Sequence, residues 1–104
     1  MRQLIPNRRP CEVFSFEHGG IAYSGSVSFR LDDGRPCEVF LDGAKSGTAV
    51  QAVARDSAVA VSLALQYGAP LPVLRSAMTR SEDGTAAGPL GALLDLVGLM
   101  EDAR

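Results

Sequence analysis

The chain has 104 residues, of which 46% are hydrophobic and 21% charged, and this length is enough for one modest hydrophobic core. Ten basic and twelve acidic residues give a formal net charge of −2, unlike a general nucleic-acid coat protein, which needs a basic excess. The sequence has no apolar run of the length of a transmembrane helix, and residues 1–9 lack the apolar segment of a secretory signal. We therefore expect one soluble, cytoplasmic domain without membrane contact.

The first part of the chain, residues 11–41, is predicted to form three strands. Residues 11–17 and 36–41 are rich in strand-forming residues and are followed by turn signals. Residues 21–31 alternate, as in a strand with one buried face, and Asp32-Asp33-Gly34 favours a hairpin turn. The face predicted to be buried consists of Ile21, Tyr23, Gly25, Val27, Phe29 and Leu31.

Three helices are predicted within residues 46–102. The first begins at a cap formed by Ser46 or Thr48, the second covers residues 71–79 and the third starts at Pro89. The first helix is apolar around most of its circumference, which predicts burial on more than one side, either by the sheet and the later helices or by a second subunit. The predicted fold class is α+β, a three-stranded antiparallel meander followed by three helices packed on one face.

The two cysteines, Cys11 and Cys37, and the single histidine, His18, supply neither a disulfide framework nor the four ligands of a structural zinc site, so no metal or cofactor is predicted. His18 is expected to be an exposed turn residue. The hexamer Arg-Pro-Cys-Glu-Val-Phe occurs at residues 9–14 and again at 35–40. In a meander the two outer strands are parallel, so the copies are expected to fill equivalent positions. The thiols would then lie roughly 10 Å apart, beyond the roughly 7 Å Cα limit for a disulfide.

The connection at residues 43–48 is the strongest candidate for a binding site. Its glycines let backbone amides approach a ligand, the helix start offers free N–H groups, and Lys45 adds a positive charge. The spacing does not match a Walker A loop. An ordinary strand-to-helix turn with a Ser or Thr cap is the alternative. The residues predicted to bind a nucleotide, a phosphate or a nucleic-acid backbone are Lys45, Ser46, Gly47 and Thr48.

Three arginines are candidate supporting contacts. Arg8 and Arg9 belong to a basic arm, residues 1–10, that can touch a phosphate backbone or an acidic neighbour, or form a solvated tail. Arg55 interrupts the apolar helix and is expected to pair with a strand carboxylate such as Glu38 or to face an anionic ligand. The sequence shows no arrangement of nucleophile and base, so we do not expect this chain alone to be an enzyme.

Three stretches together resemble the TSCPD domain family. They are Gly-Arg-Pro-Cys-Glu-Val-Phe-Leu at residues 34–41, Lys-Ser-Gly at 45–47, and Val-Ser-Leu-Ala-Leu-Gln-Tyr-Gly-Ala-Pro-Leu at 61–71. The family occurs toward the C-terminus of adenosylcobalamin-dependent ribonucleotide reductases and as short stand-alone proteins. The Thr-Ser-Cys-Pro-Asp tail of the family is absent from the corresponding residues 80–104, and the catalytic barrel of the reductase is also absent.

The resemblance therefore implies a single TSCPD-like domain, spanning residues 1–104, that is accessory and binds rather than catalyses. We predict that it forms a homodimer through the long helix and binds its ligand at residues 43–48. The alternative prediction is a small homodimeric adaptor or regulator that docks on a larger protein partner.

Overall fold

The computed structural model describes residues 10–43 and 47–102, which form three strands followed by three helices. The elements in chain order are β1 (Cys11–His18), β2 (Ile21–Phe29), β3 (Pro36–Gly43), α1 (Ala49–Gln66), α2 (Leu71–Ser76) and α3 (Pro89–Asp102). The strands form one antiparallel sheet in the order β1-β2-β3. The predicted α+β fold, a meander followed by three helices, is confirmed. Within the described ranges, no helix has the length and hydropathy that a membrane span requires.

The central strand β2 supplies much of the buried face of the sheet, as the alternation of the sequence predicts. Its buried large side chains are Tyr23, Val27 and Phe29. Leu93 of α3 packs directly on Gly25, because a Cβ at this glycine would lie 2.7 Å from Leu93 Cδ1. Leu31 was predicted to be buried but is exposed, since β2 ends at Phe29 and the chain turns away from the core.

The two copies of the repeated hexamer present opposite faces of the sheet, and the prediction of equivalent positions is wrong. Cys11 is paired with Ser28, and Ser28 is paired in turn with Glu38, so the second copy is displaced by one residue relative to the first. Because side chains alternate along a strand, this shift exchanges their faces. Val13 is 72% exposed, whereas its counterpart Val39 is 3% exposed. Both thiols are free, as predicted.

Helix α1 covers the outer edge of β3. The Ser62 hydroxyl accepts a hydrogen bond from the Val39 amide at 2.9 Å. The single proton of this hydroxyl lies within reach of two carbonyl oxygens, that of Val39 at 2.9 Å and that of Ala58 at 2.8 Å. Gln66 Nε2 donates to the Cys37 carbonyl oxygen at 3.1 Å. The helix thus satisfies backbone N–H and C=O groups at the edge of β3 that could otherwise pair with another strand. The opposite side of the helix points away from the sheet.

Helix α3 completes the core, and α2 is fastened to it. The fully buried side chains of α3 are Leu93, Leu94 and Val97. Arg75 of α2 crosses α3 at Gly98, where a Cβ would overlap the guanidinium group. Helix α2 ends at Ser76, three residues before the predicted end at Thr79, and its last turn closes through hydrogen bonds from the next backbone amide.

Candidate functional site

The connection between β3 and α1 is held together by one side chain, Gln51. Thr48 is the N-cap of α1, and its hydroxyl accepts a hydrogen bond from the Gln51 amide at 3.2 Å. Gln51 Oε1 accepts from the Gly47 amide at 2.9 Å, and Gln51 Nε2 donates to Asp42 Oδ1 at 3.1 Å. The same carboxylate oxygen accepts from the Gly43 amide at 2.9 Å. Gln51 therefore links the end of the strand to the start of the helix.

Sequence analysis did not single out Gln51, although the sequence contains its signal. Thr48 and Gln51 have the Thr-x-x-Gln spacing of a capping box, in which the third residue of the helix reaches back to the chain before it. Here the reaching side chain meets the amide of Gly47, one residue before the cap. The cap predicted at Thr48 is confirmed, and this part of the connection has the geometry of a well-formed helix start.

Some groups in the described part of the connection are already engaged within the protein. The Gly47 amide is bonded to Gln51, and the Asp42 carboxylate adds a negative charge beside it. In the first turn of α1, the amides of Ala49 and Val50 have no acceptor within the described residues. Three of the four predicted positive charges and one of the two predicted hydroxyls lie outside the described residues: Lys45, Arg8 and Arg9, and Ser46. Anion binding at residues 43–48 stays a prediction.

Arg55 lies apart from this connection. Its guanidinium carbon is 6.0 Å from the centroid of the Phe40 ring, a cation–π geometry on the side of the sheet opposite to the core. It makes no ion pair with Glu38 or with any other carboxylate in the described parts of the chain. Gly47 and Thr48 lie at the start of α1, whereas Arg55 is directed to an aromatic ring of β3.

One side of α1 is apolar apart from Asp56 and is uncovered by the elements described. Four large side chains on this side are exposed to solvent, and we call them the α1 apolar face: Val53, Val59, Leu63 and Tyr67. Their helical spacing places them on the side turned away from Ser62 and the β3 edge. The sheet and the later helices therefore do not cover this helix on all sides, which was the first of the two predictions for its burial. Cover by a second subunit stays a prediction.

Asp95 of α3 joins two arginines, Arg75 in α2 and Arg80 in the segment after it. Arg75 Nε donates to Asp95 Oδ1 at 2.9 Å, and Arg80 donates to both carboxylate oxygens, at 2.8 Å to Oδ1. These bonds, those of Arg80 first, lower the pKa of Asp95 to about 2 against the opposing effect of its partial burial. The cluster ties α2 and the chain after it to α3, which is a structural role.

The remaining candidates for chemistry are dispersed. Cys11 is exposed and Cys37 is buried. His18 was predicted to be an exposed turn residue, but it ends β1 half-buried, and its Nε2 lies 3.0 Å from the Ala86 carbonyl oxygen because the 80–88 segment folds back on this strand. Nowhere in residues 10–43 and 47–102 do three or more His, Cys, Asp or Glu side chains gather as a metal site would require.

Comparison with known proteins gives one consistent result. The TSCPD domain model matches residues 3–98. The chain is 48% identical over 81 residues to a vitamin B12-dependent ribonucleotide reductase of Bradyrhizobium diazoefficiens and 39% identical over 79 residues to that of Agrobacterium fabrum. Each alignment takes in 75% of this chain but 6% of the reductase, so the chain spans a small fraction of these relatives. No solved structure matches the chain.

Proposed function

Because this chain belongs to the TSCPD domain family, we propose that it is a non-catalytic accessory domain that acts through protein–protein contact in the cytoplasm. The relatives are named as ribonucleotide reductases, and the aligned segment is 6% of the Bradyrhizobium diazoefficiens and Agrobacterium fabrum proteins. Reduction of a ribonucleotide therefore belongs, in this proposal, to other polypeptide segments, and this domain supplies a contact surface. Binding of nucleotides at residues 43–48 is a separate prediction with its own test.

The observation that carries the proposal is the α1 apolar face. Soluble proteins seldom leave a large contiguous apolar patch in water unless it serves a contact. The buried cores of protein interfaces, and homodimer interfaces as a whole, are more apolar than the rest of the surface and poor in charge. This face combines large apolar side chains with exposed alanines of the same helix, Ala52 and Ala60, which let another helix approach closely.

We propose a second copy of the chain as the partner. A two-fold contact uses the same patch on both subunits, so the patch must be compatible with itself. One charged residue, Asp56, lies on this face itself, among the apolar side chains, and is exposed. In an antiparallel helix pair centred on Val59, Asp56 and its equivalent in the other copy would be separated by six residues, about 9 Å along the axis. This is about one Debye length at physiological ionic strength, which limits the repulsion provided that the contact leaves both carboxylates open to water.

Sedimentation velocity from micromolar to millimolar protein tests this proposal. Val59→Lys places a charge on the α1 apolar face, and Val73→Lys is a matched control, because the two valines are 58% and 59% exposed and both lie on helices. We expect the wild-type protein and Val73→Lys to sediment at about twice the 10.9 kDa monomer mass, and Val59→Lys as the monomer. A monomeric wild-type protein, or equal dissociation by both variants, would contradict the proposal.

A further inference from the structure

A cavity of about 460 Å³ lies between the first half of α1 and the start of α3. Sites for small molecules typically measure roughly 300–1,000 Å³ and are mainly apolar, with a few polar groups that orient the ligand. Most of the wall of this cavity is apolar, and its large aliphatic side chains are Val50, Val53, Met78 and Leu90. Only Val53 is shared with the α1 apolar face, so the cavity is distinct from the proposed dimer contact.

Tyr23 is the buried polar side chain in this wall. It is 6% exposed, and its ring is stacked on Phe16 at 5.7 Å between centroids and packs closely over Gly43. Its hydroxyl forms no hydrogen bond with any residue in the described parts of the chain. A buried hydroxyl without a partner is unfavourable, and such groups in native proteins are normally satisfied by protein, water or ligand. Tyr23 therefore has an unused donor and is part of the cavity wall.

The start of α3 adds two further donors to the same wall. Gly88 precedes the helix and has no side chain to act as a cap, and Pro89 has no amide proton. The amides of Leu90 and Gly91 follow, and within the described chain they have no acceptor. Both residues line the cavity. Amides at a helix start favour an oxygen that carries negative charge, because the helix dipole is positive at this end.

We propose that this cavity binds a small, mainly apolar molecule that carries one carboxylate or carbonyl oxygen. The aliphatic wall takes up the apolar body, and the oxygen accepts hydrogen bonds from the Tyr23 hydroxyl and from the first amides of α3. Among the described residues, no charged side chain lines the cavity. The ligand is thereby recognised by uncharged donors and by the helix dipole, which distinguishes this site from the anion site predicted at residues 43–48.

Titration of the ¹⁵N-labelled protein with phenylacetate and, separately, with its neutral analogue phenylacetamide tests the proposal. We expect at least one probe to bind and to shift the amide signals of Leu90 and Gly91. Tyr23→Phe removes only the hydroxyl, and Tyr67→Phe is the matched control, because Tyr67 is exposed on α1. We expect Tyr23→Phe to weaken binding by about tenfold or more and Tyr67→Phe to leave it unchanged.

Thermal unfolding of the variants provides a second readout. Because the hydroxyl of Tyr23 has no partner among the described residues, Tyr23→Phe should unfold at the same temperature as the wild type or at a higher one. The proposal is overturned if neither probe shifts the start of α3, if binding is as strong in Tyr23→Phe as in Tyr67→Phe, or if Tyr23→Phe lowers Tm, since a lower Tm would show that the protein itself bonds the hydroxyl.

Discussion

Ser62 is the residue through which α1 closes the edge of the sheet, and replacing it with alanine should destabilise the fold. The side chain is buried, accepts from the Val39 amide and shares its own proton between the carbonyls of Val39 and Ala58. In Ser62→Ala the Val39 amide remains buried under the helix but has no acceptor. The void left by one oxygen atom is too small to admit water readily.

The size of the effect follows from these contacts. A buried backbone donor left without a partner costs about 1–3 kcal/mol. The Val39 carbonyl loses a shared proton, which adds to this cost, whereas alanine is the better helix former by about 0.5 kcal/mol. We therefore expect Ser62→Ala to lower the free energy of unfolding by about 2 kcal/mol. For a domain of this size, that corresponds to a fall in Tm of roughly 8–16 °C.

Urea unfolding followed by circular dichroism measures this change, and Ser57→Ala in the same helix is the matched control. The Ser57 hydroxyl is half-buried and donates to the Ala54 carbonyl of its own helix at 2.9 Å, without reaching the sheet. Its loss should alter the free energy of unfolding by less than about 0.5 kcal/mol. If the two variants were equally stable, the edge contact of Ser62 would not hold the helix to the sheet, and the reasoning would be refuted.

Two further predictions concern charge. The pKa of Asp95 in the folded protein, about 2, lies below its ordinary value of 3.8, so the stability that it contributes is present above pH 4 and is lost as the pH falls toward 2. Asp95→Asn should therefore lower stability at neutral pH and make the loss of stability in acid less steep, as measured by thermal unfolding across this pH range. An acid profile like that of the wild type would exclude a contribution of Asp95 to stability. The anion site predicted at residues 43–48 should give salt-dependent binding of a nucleoside triphosphate, and Lys45→Ala should abolish this binding with the fold intact, as monitored by thermal shift. Equal binding by that variant would exclude Lys45.

Local patterns in the sequence were sufficient to predict the elements of the fold. The alternation in residues 21–29, the Thr48 cap and the helix start at Pro89 each depend on interactions within a few residues, and all three are confirmed. The burial predicted from the alternation is wrong for Leu31, because the alternation in the sequence continues beyond Phe29, where the strand ends.

Features that depend on strand register could not be predicted from the sequence. The repeated hexamer has the same local preferences in both copies, yet pairing with β2 displaces the copies by one residue, and Val13 is exposed where Val39 is buried. A β-bulge between residues 28 and 29 adds to the irregularity of this pairing. The identical local sequences contain no information about this relative displacement.

Contacts between segments that are distant in the sequence could not be predicted either. Ser62 is read from the sequence as one more small helical residue, and its bond to Val39 spans 23 positions. The same holds for Tyr23, which the alternation correctly assigns to the core. That its side chain lines a cavity depends on the packing of α1 and α3, which no local pattern specifies.

An isotope-filtered NOE experiment on a mixture of labelled and unlabelled protein tests the central claim, contact through the α1 apolar face, most directly. Our account predicts intermolecular NOEs between the methyl groups of Val59 or Leu63 in one copy and α1 of the other, with none from Val73, which is as exposed as Val59 but lies on α2. Intermolecular NOEs confined to another surface, or none in a sample concentrated to the millimolar range, would contradict it.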